Sequence, residues 1–316
     1  VDLRDRIKSD LKASDFYTET LPLWEFPRGS GKTYGIPRDF GVGLLFFNKD
    51  LLDKAGVAAP TNDWTYEDML KAALKVNHPS DDPKQAVFGT LASGGRVFLD
   101  ALIHGNGGEV LNENQTKALY DQPVAVESIK WMVDLVRSHK VAPLPQFFEG
   151  LGSPFGTGRV AMVIDGTWAV QGNRKVTAFK FDAVLQPKGK VKRATIGEPD
   201  GFVISQQTKD PDSAWELAKF MVLSPAMEAW YLIDPGMIPV TKAMGESPSY
   251  RAVKPPDPAL YFESYKHLYA DYTAGFNEWQ TAKDQIMGKA FLGEIPPDEA
   301  AKQITKAVND ILDKNK

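Results

Sequence analysis

An α/β fold is what this sequence predicts, and three features predict it. Val42–Phe47 is an unbroken apolar run of strand length, apolar on both faces, which suits a buried place in a sheet covered by helices. Residues 123–139 carry Ile129, Met132, Val133 and Val136 at helical spacing, and Pro123 fits the first turn. Strand-length runs at Val160–Ile164 and Phe202–Ser205, bounded by Gly and Asp, are interspersed with helices rather than gathered at one end.

The remaining elements follow from local chemistry. Pro37 and Gly41 punctuate the approach to the first strand, and Asn48 and Asp50 can cap what comes after it. Thr65, with Asp68 three residues on, forms a capping-box variant that opens a helix through Val76. Ala301, Ile304, Val308, Ile311 and Leu312 make a closing helix begun after Pro296–Pro297. Ala243–Pro258, rich in Pro and polar residues, reads as a loop.

The 316 residues exceed one ordinary domain and suffice for two lobes, each with a core. Thirty-seven Lys and Arg against 41 Asp and Glu give a net charge of −4, which offers no electrostatic footprint for nucleic acid. No run approaches the ~18 apolar residues of a membrane span. The absence of cysteine excludes disulfides, thiol nucleophiles and thiolate metal sites. Val1–Asp15 is charged and mixed, unlike a secretory leader, so export would require a targeting segment removed beforehand.

Catalytic and cofactor motifs fail on spacing. His78, His104, His139 and His267 lie far apart and read as ordinary surface or core histidines. Gly29–Thr33 resembles the end of a P-loop, but Phe26 stands where its first Gly belongs, so a β-turn is expected. Gly105–Glu109 misses the dinucleotide fingerprint and reads as a turn. Ser153, in the Gly150–Pro154 turn, has Leu151 two positions before it and Pro154 after it, which excludes a nucleophile elbow. No cofactor or metal is called for. The aromatic residues are the better clue, because sugars pair flat C–H faces with rings of hydroxyls.

GKTYGIPRDFGVGLLFFNKDLLDKAGV (31–57) resembles a signature of extracellular solute-binding proteins of the maltose-binding class, the sugar receptors of ABC importers. The likeness continues in order through NDWTYEDMLKAALKV (62–76), HGNGGEVLNEN (104–114), FGTGRVAMVIDGTWAV (155–170), GFVIS (201–205), Ile238-Pro239-Val240 and Trp279. It implies a periplasmic-binding-protein-like two-lobe fold with hinge crossovers near Gly41–Leu45 and Gly201–Ser205. The expected lobes are 1–42 with 205–245, and 43–204 with 246–316. Chains of this class carry about ninety further residues before VDLRDRIKSDL, a large part of one domain, so the amino-terminal lobe is expected to be incomplete.

The resemblance implies a non-enzymatic receptor that closes its lobes around a sugar and delivers it to ABC permease membrane subunits. Its expected place is periplasmic or extracellular, with lipid anchoring left open. Trp168 matches the family's strand–Gly–small–Trp position and is expected to stack on ligand. Trp279, and Trp230 with Tyr231 before the Gly-Met-Ile-Pro loop, either line the pocket or pack in a core. Asp39 either accepts hydroxyl protons from a sugar or serves as a turn carboxylate, and Arg38 either grips ligand or pairs with Asp39. Glu198, Asp165 and Asp200 are weaker candidates on loops. Trp64, Trp131 and Trp215 sit in amphipathic helices and are expected in the core, and Trp24 has no assigned role. The alternatives are a receptor of the same fold for a polyamine, an iron chelate or a phosphodiester, and an enzyme using a carboxylate pair on carbohydrate.

Overall fold

The computed structural model describes the chain except residues 19, 28, 81–84, 151 and 316 and the side chain of Pro145. Leu151, weighed above in the Gly150–Pro154 turn, therefore lies outside the described residues. The strands are β1 (Gly35–Asn48), β2 (Met162–Gly166), β3 (Phe181–Leu185), β4 (Thr195–Val203), β5 (Ile238–Pro239) and β6 (Leu268–Tyr269). The chain divides into two units. The first holds Val1–Val42, Gly166–Gln171 and Gly197–Lys266, and the second holds Gly43–Asp165, Gly172–Ile196 and His267–Lys316.

Residues 246–266 thus group with the first unit, where the expected lobes put them with the second. The reason is aromatic packing: Tyr265 meets Phe40 edge to face at 5.4 Å and Tyr17 at 5.5 Å, and Tyr250 meets Tyr231 at 6.3 Å. Short helices at Lys242–Gly245 and Pro248–Arg251 occupy the segment expected as loop.

In the first unit β1 pairs antiparallel with β4, from Gly35 opposite Val203 to Val42 opposite Gly197, and with β5 at Asp39 and Phe40. A register shift between Pro37 and Asp39 makes Arg38 an extra residue. The helix Pro211–Leu223 anchors through buried Trp215, whose indole N–H donates to Asp10 at 2.6 Å.

In the second unit β1 continues antiparallel to β3, from Leu44 opposite Leu185 to Asn48 opposite Phe181, and the start of β4 runs parallel to β6. Helices Tyr66–Val76, Pro123–Arg137, Phe276–Leu292 and Pro297–Lys314 cover a core that includes Leu45, Met69, Ile129, Met132 and Ile304. The capping box at Thr65 forms both ways: Asp68 N–H donates to the Thr65 hydroxyl at 3.2 Å, and Thr65 N–H donates to the Asp68 carboxylate at 3.0 Å.

Two strands are longer than the apolar runs suggest. β1 starts at Gly35 rather than Val42, and β4 starts at Thr195 rather than Phe202. The Pro and Gly residues at their ends read as turn signals, but each extension is held by pairing with the other. Among the described residues, no helix is long and apolar enough to cross a membrane.

Candidate functional site

The candidate site is built on the paired part of β1 and β4 in the first unit. Opposed residues of an antiparallel pair share a face, and side chains alternate along each strand. Asp39 opposes Asp200 and Gly41 opposes Glu198, so these positions share a face, while Phe40 turns the other way into the aromatic core. Glu198 and Asp200, expected on loops, are therefore strand residues spaced by two.

Trp168 supplies the aromatic platform. It follows β2 in a single 3-10 turn, Thr167–Ala169, and remains 38% exposed. Its ring lies over two glycines: a Cβ at Gly41 would come within 3.0 Å of it, and one at Gly166 within 2.2 Å. At Gly166 a Cβ would overlap the ring outright, and at Gly41 the ring would have to give way by a few tenths of an ångström. The Glu198 side chain flanks Gly41, and the Thr167 hydroxyl accepts from Val42 N–H at 3.4 Å. This side chain is therefore a partly open indole in the turn that follows a strand.

Arg38, set out of register by the bulge, lies between two rings, 5.7 Å from the Trp230 centroid and 5.8 Å from that of Phe202. Trp230 is 41% exposed. Of the two roles open to Arg38, the structure displays the pair with Asp39, through its Nε. Trp168, Trp230, Arg38 and Glu198 all keep surface in contact with solvent.

Three candidates are placed otherwise. Asp39 is wholly buried, so it sits beneath Arg38 and has no surface to offer a sugar. Its Oδ2 is held by Arg38, and its Oδ1 has no hydrogen-bond partner among the described residues. Burial pushes this carboxyl up to about 6, Arg38 pulls against that, and Asp200 and Asp234 push further upward. Tyr231 is buried rather than pocket-lining. Its hydroxyl donates to the Arg38 carbonyl at 2.5 Å and so steadies the bulge. Trp279 has no exposed surface and packs in the core of the second unit, with its N–H donated to Thr273 at 3.0 Å and Phe276 edge-on at 5.1 Å. Its helical stripe of Trp279, Lys283 and Met287 faces inward, which accounts for core packing rather than stacking.

Sequence reasoning missed Phe202 as part of this face and the bulge that frees Arg38. The alternation of Glu198, Asp200 and Phe202 was the available signal, masked by Gly197, Pro199 and Gly201. No group of three or more His, Asp or Glu side chains is placed to hold a metal ion among the described residues.

Comparisons with known proteins bear on the family and the fold. A family model described as bacterial extracellular solute-binding protein matches residues 2–256. A Brucella abortus protein assigned as a binding protein is 26% identical over 294 residues, spanning 90% of this chain and 69% of the relative. The maltooligosaccharide ABC transporter solute-binding lipoprotein of Streptococcus pneumoniae is 26% identical over 211 residues, 64% of this chain and 48% of its own. Among solved structures, an ABC substrate-binding protein from Listeria monocytogenes in complex with cycloalternan superposes with a TM-score of 0.87 at 26% identity, covering 98% of this chain and 79% of that one. A solute-binding protein from Thermotoga lettingae bound with α-D-tagatose shares the fold, with a TM-score of 0.82 at 22% identity over 99% of this chain and 80% of that one. With most of its length matched by that family model, and the two-unit α/β architecture to go with it, this chain belongs to the bacterial extracellular solute-binding proteins.

Proposed function

We propose that this chain is a carbohydrate receptor that binds its ligand without turning it over and hands it to an ABC importer outside the cytoplasmic membrane. The observation that carries the reading is the Trp168 indole, laid across Gly41 and Gly166 beside Glu198. A flat, partly open indole matches the C–H face of a sugar ring, and such an aromatic contact adds about 0.5–1.5 kcal/mol beyond area burial. Glu198 accepts from hydroxyls at the ring edge, and Arg38, stiffened between Phe202 and Trp230, donates to them. The sugars named for the Listeria, Thermotoga and Streptococcus relatives support the ligand class.

Binding without turnover has a physical argument as well. Glycoside cleavage needs a protonated carboxyl that reaches the leaving oxygen. Asp39, a carboxyl of this face that burial pushes up to about 6, has no exposed surface and is tied to Arg38, so it cannot serve as that acid.

The test is a thermal-shift screen of the whole protein against maltotriose, mannotriose, cellotriose and arabinotriose, with putrescine and spermidine alongside. A ligand at a thousand times its dissociation constant should add about 4 kcal/mol. The expected result is a shift with one oligosaccharide, which chromatography then recovers intact. A shift with polyamines alone, or cleavage of the sugar, overturns the reading.

A further inference from the structure

A groove of about 380 Å³ opens within the second unit and is lined only by residues of that unit. Its volume lies at the lower end of the ~300–1,000 Å³ typical of small-molecule sites. The floor is apolar: Tyr66, Leu102 and the half-buried indole of Trp131. Trp131 is fixed by edge-to-face contacts with Tyr66 at 5.8 Å and Phe98 at 6.2 Å. The indole packs against the core, as expected of its helix, and keeps part of its surface open to the groove.

The rim is balanced, with three carboxylates and three lysines, which disfavours a strongly charged ligand. Most of these groups are already engaged. Lys190 pairs with Glu127 at 2.5 Å, Lys188 with Asp63 at 2.8 Å, and the Asp134 carboxylate accepts from Ser138 at 2.6 Å. The side chains of Glu67 and Lys130 make no hydrogen bond or ion pair among the described residues, leaving one acceptor and one donor over an aromatic floor. The walls are tied together before any ligand arrives: Lys188 N–H donates to Trp64 carbonyl at 2.9 Å, Tyr66 N–H to Lys188 carbonyl at 3.2 Å, and Lys190 N–H to Asn106 Oδ1 at 3.0 Å.

We propose that this groove binds a short neutral saccharide, with Trp131 as its stacking platform and Glu67 and Lys130 as hydroxyl partners. A neutral ring offers a flat C–H face together with donors and acceptors, which is what the floor and the two unengaged rim groups complement. The inference is independent of the reading of the first unit, because none of its residues belongs to that unit.

The experiment follows the indole N–H signals of ¹⁵N-labelled protein, seven in number, with that of Trp131 assigned by its loss in Trp131→Phe. Maltotriose, mannotriose, cellotriose and arabinotriose are titrated to about 20 mM, the range in which weak sites saturate. The expected result is saturable movement of the Trp131 signal with at least one sugar, unchanged in Trp168→Ala. The apparent dissociation constant should rise about tenfold in Glu67→Gln with Lys130→Met, whose exposed sites leave folding intact. No saturable movement overturns the proposal. So does movement abolished by Trp168→Ala, which would place the response at the first unit, or movement with free phenylalanine alone, which would make the groove a zwitterion site.

Discussion

In the second unit Lys283 and Asp100 are sealed away with 0% and 1% of their side chains exposed, and their charges are matched. Lys283 Nζ reaches Asp100 Oδ2 at 2.6 Å, the Tyr120 hydroxyl donates to Asp100 Oδ1 at 3.0 Å, and the ammonium lies 5.4–5.5 Å from the rings of Tyr120 and Trp279. Nearby, His104 places Nδ1 3.0 Å from Glu109 and Nε2 2.8 Å from Asp271, so both nitrogens must carry protons and the ring is a cation. In the first unit Asp39 is equally buried, yet one of its oxygens is held by an arginine that is itself part-exposed, and the other has no partner among the described residues. A buried charge that is fully matched makes a rigid anchor. One left half-matched beside a bulge is costly, and such strain concentrates where a protein does its work.

Breaking the matched set should cost most. Lys283→Met removes one partner and strands Asp100, and the expected loss is ~3–5 kcal/mol in urea unfolding. Adding Asp100→Leu should recover a good part of it, and a pair without that coupling would show that the charges are not matched as described. His104 comes next. Burial alone would lower its pKa, but Asp271 and Glu109 outweigh burial and hold it at about 9. A raised histidine stabilises fully below its unfolded value near 6.5, and the effect is lost as pH rises through 9. The shift corresponds to ~3 kcal/mol, so stability measured from pH 6 to 10 should fall in wild type and stay nearly flat over that window in His104→Gln.

In the first unit the effects should be smaller and should separate binding from folding. Trp168→Ala is expected to weaken the oligosaccharide that gives the thermal shift by roughly thirtyfold, ~2 kcal/mol by calorimetry, while the ligand-free melting temperature barely moves. Asp39→Asn should act with the opposite sign to the second-unit variants. A carboxyl raised to about 6 makes the folded state take up a proton more readily than the unfolded one, so stability falls as pH climbs from about 4 to 6. Removing that charge should add ~1 kcal/mol at pH 7 and flatten this part of the profile. A loss of stability at pH 7 would mean that Asp39 is matched after all and that the contrast between the units is not real.

How much of this was legible beforehand differs by element. The capping box at Thr65, the Pro123 helix and the closing helix were readable because their signals are local: a cap, a fixed φ, a 3.6-residue stripe. The first halves of β1 and β4 were not, because Gly35, Pro37, Gly197 and Pro199 carry turn chemistry and only mutual pairing makes them strands. The place of Trp168, in the turn just after a strand, was legible through its Gly-Thr-Trp context. Trp279 and Tyr231 were not, since an aromatic at helical spacing looks the same in sequence whether its helix turns it inward or outward. The cationic state of His104 was hidden for a similar reason, because Asp271 is 167 positions away.

The chain passes between the units several times, and each unit is gathered from three separate stretches. For anyone who wishes to dissect the protein genetically, this means that trimming either terminus yields neither half. A cut after Val42 severs β1 in the middle of its hydrogen-bonded ladder, and a cut after Ile196 does the same to β4. Recombination between relatives would likewise have to exchange three blocks at once to move one unit intact.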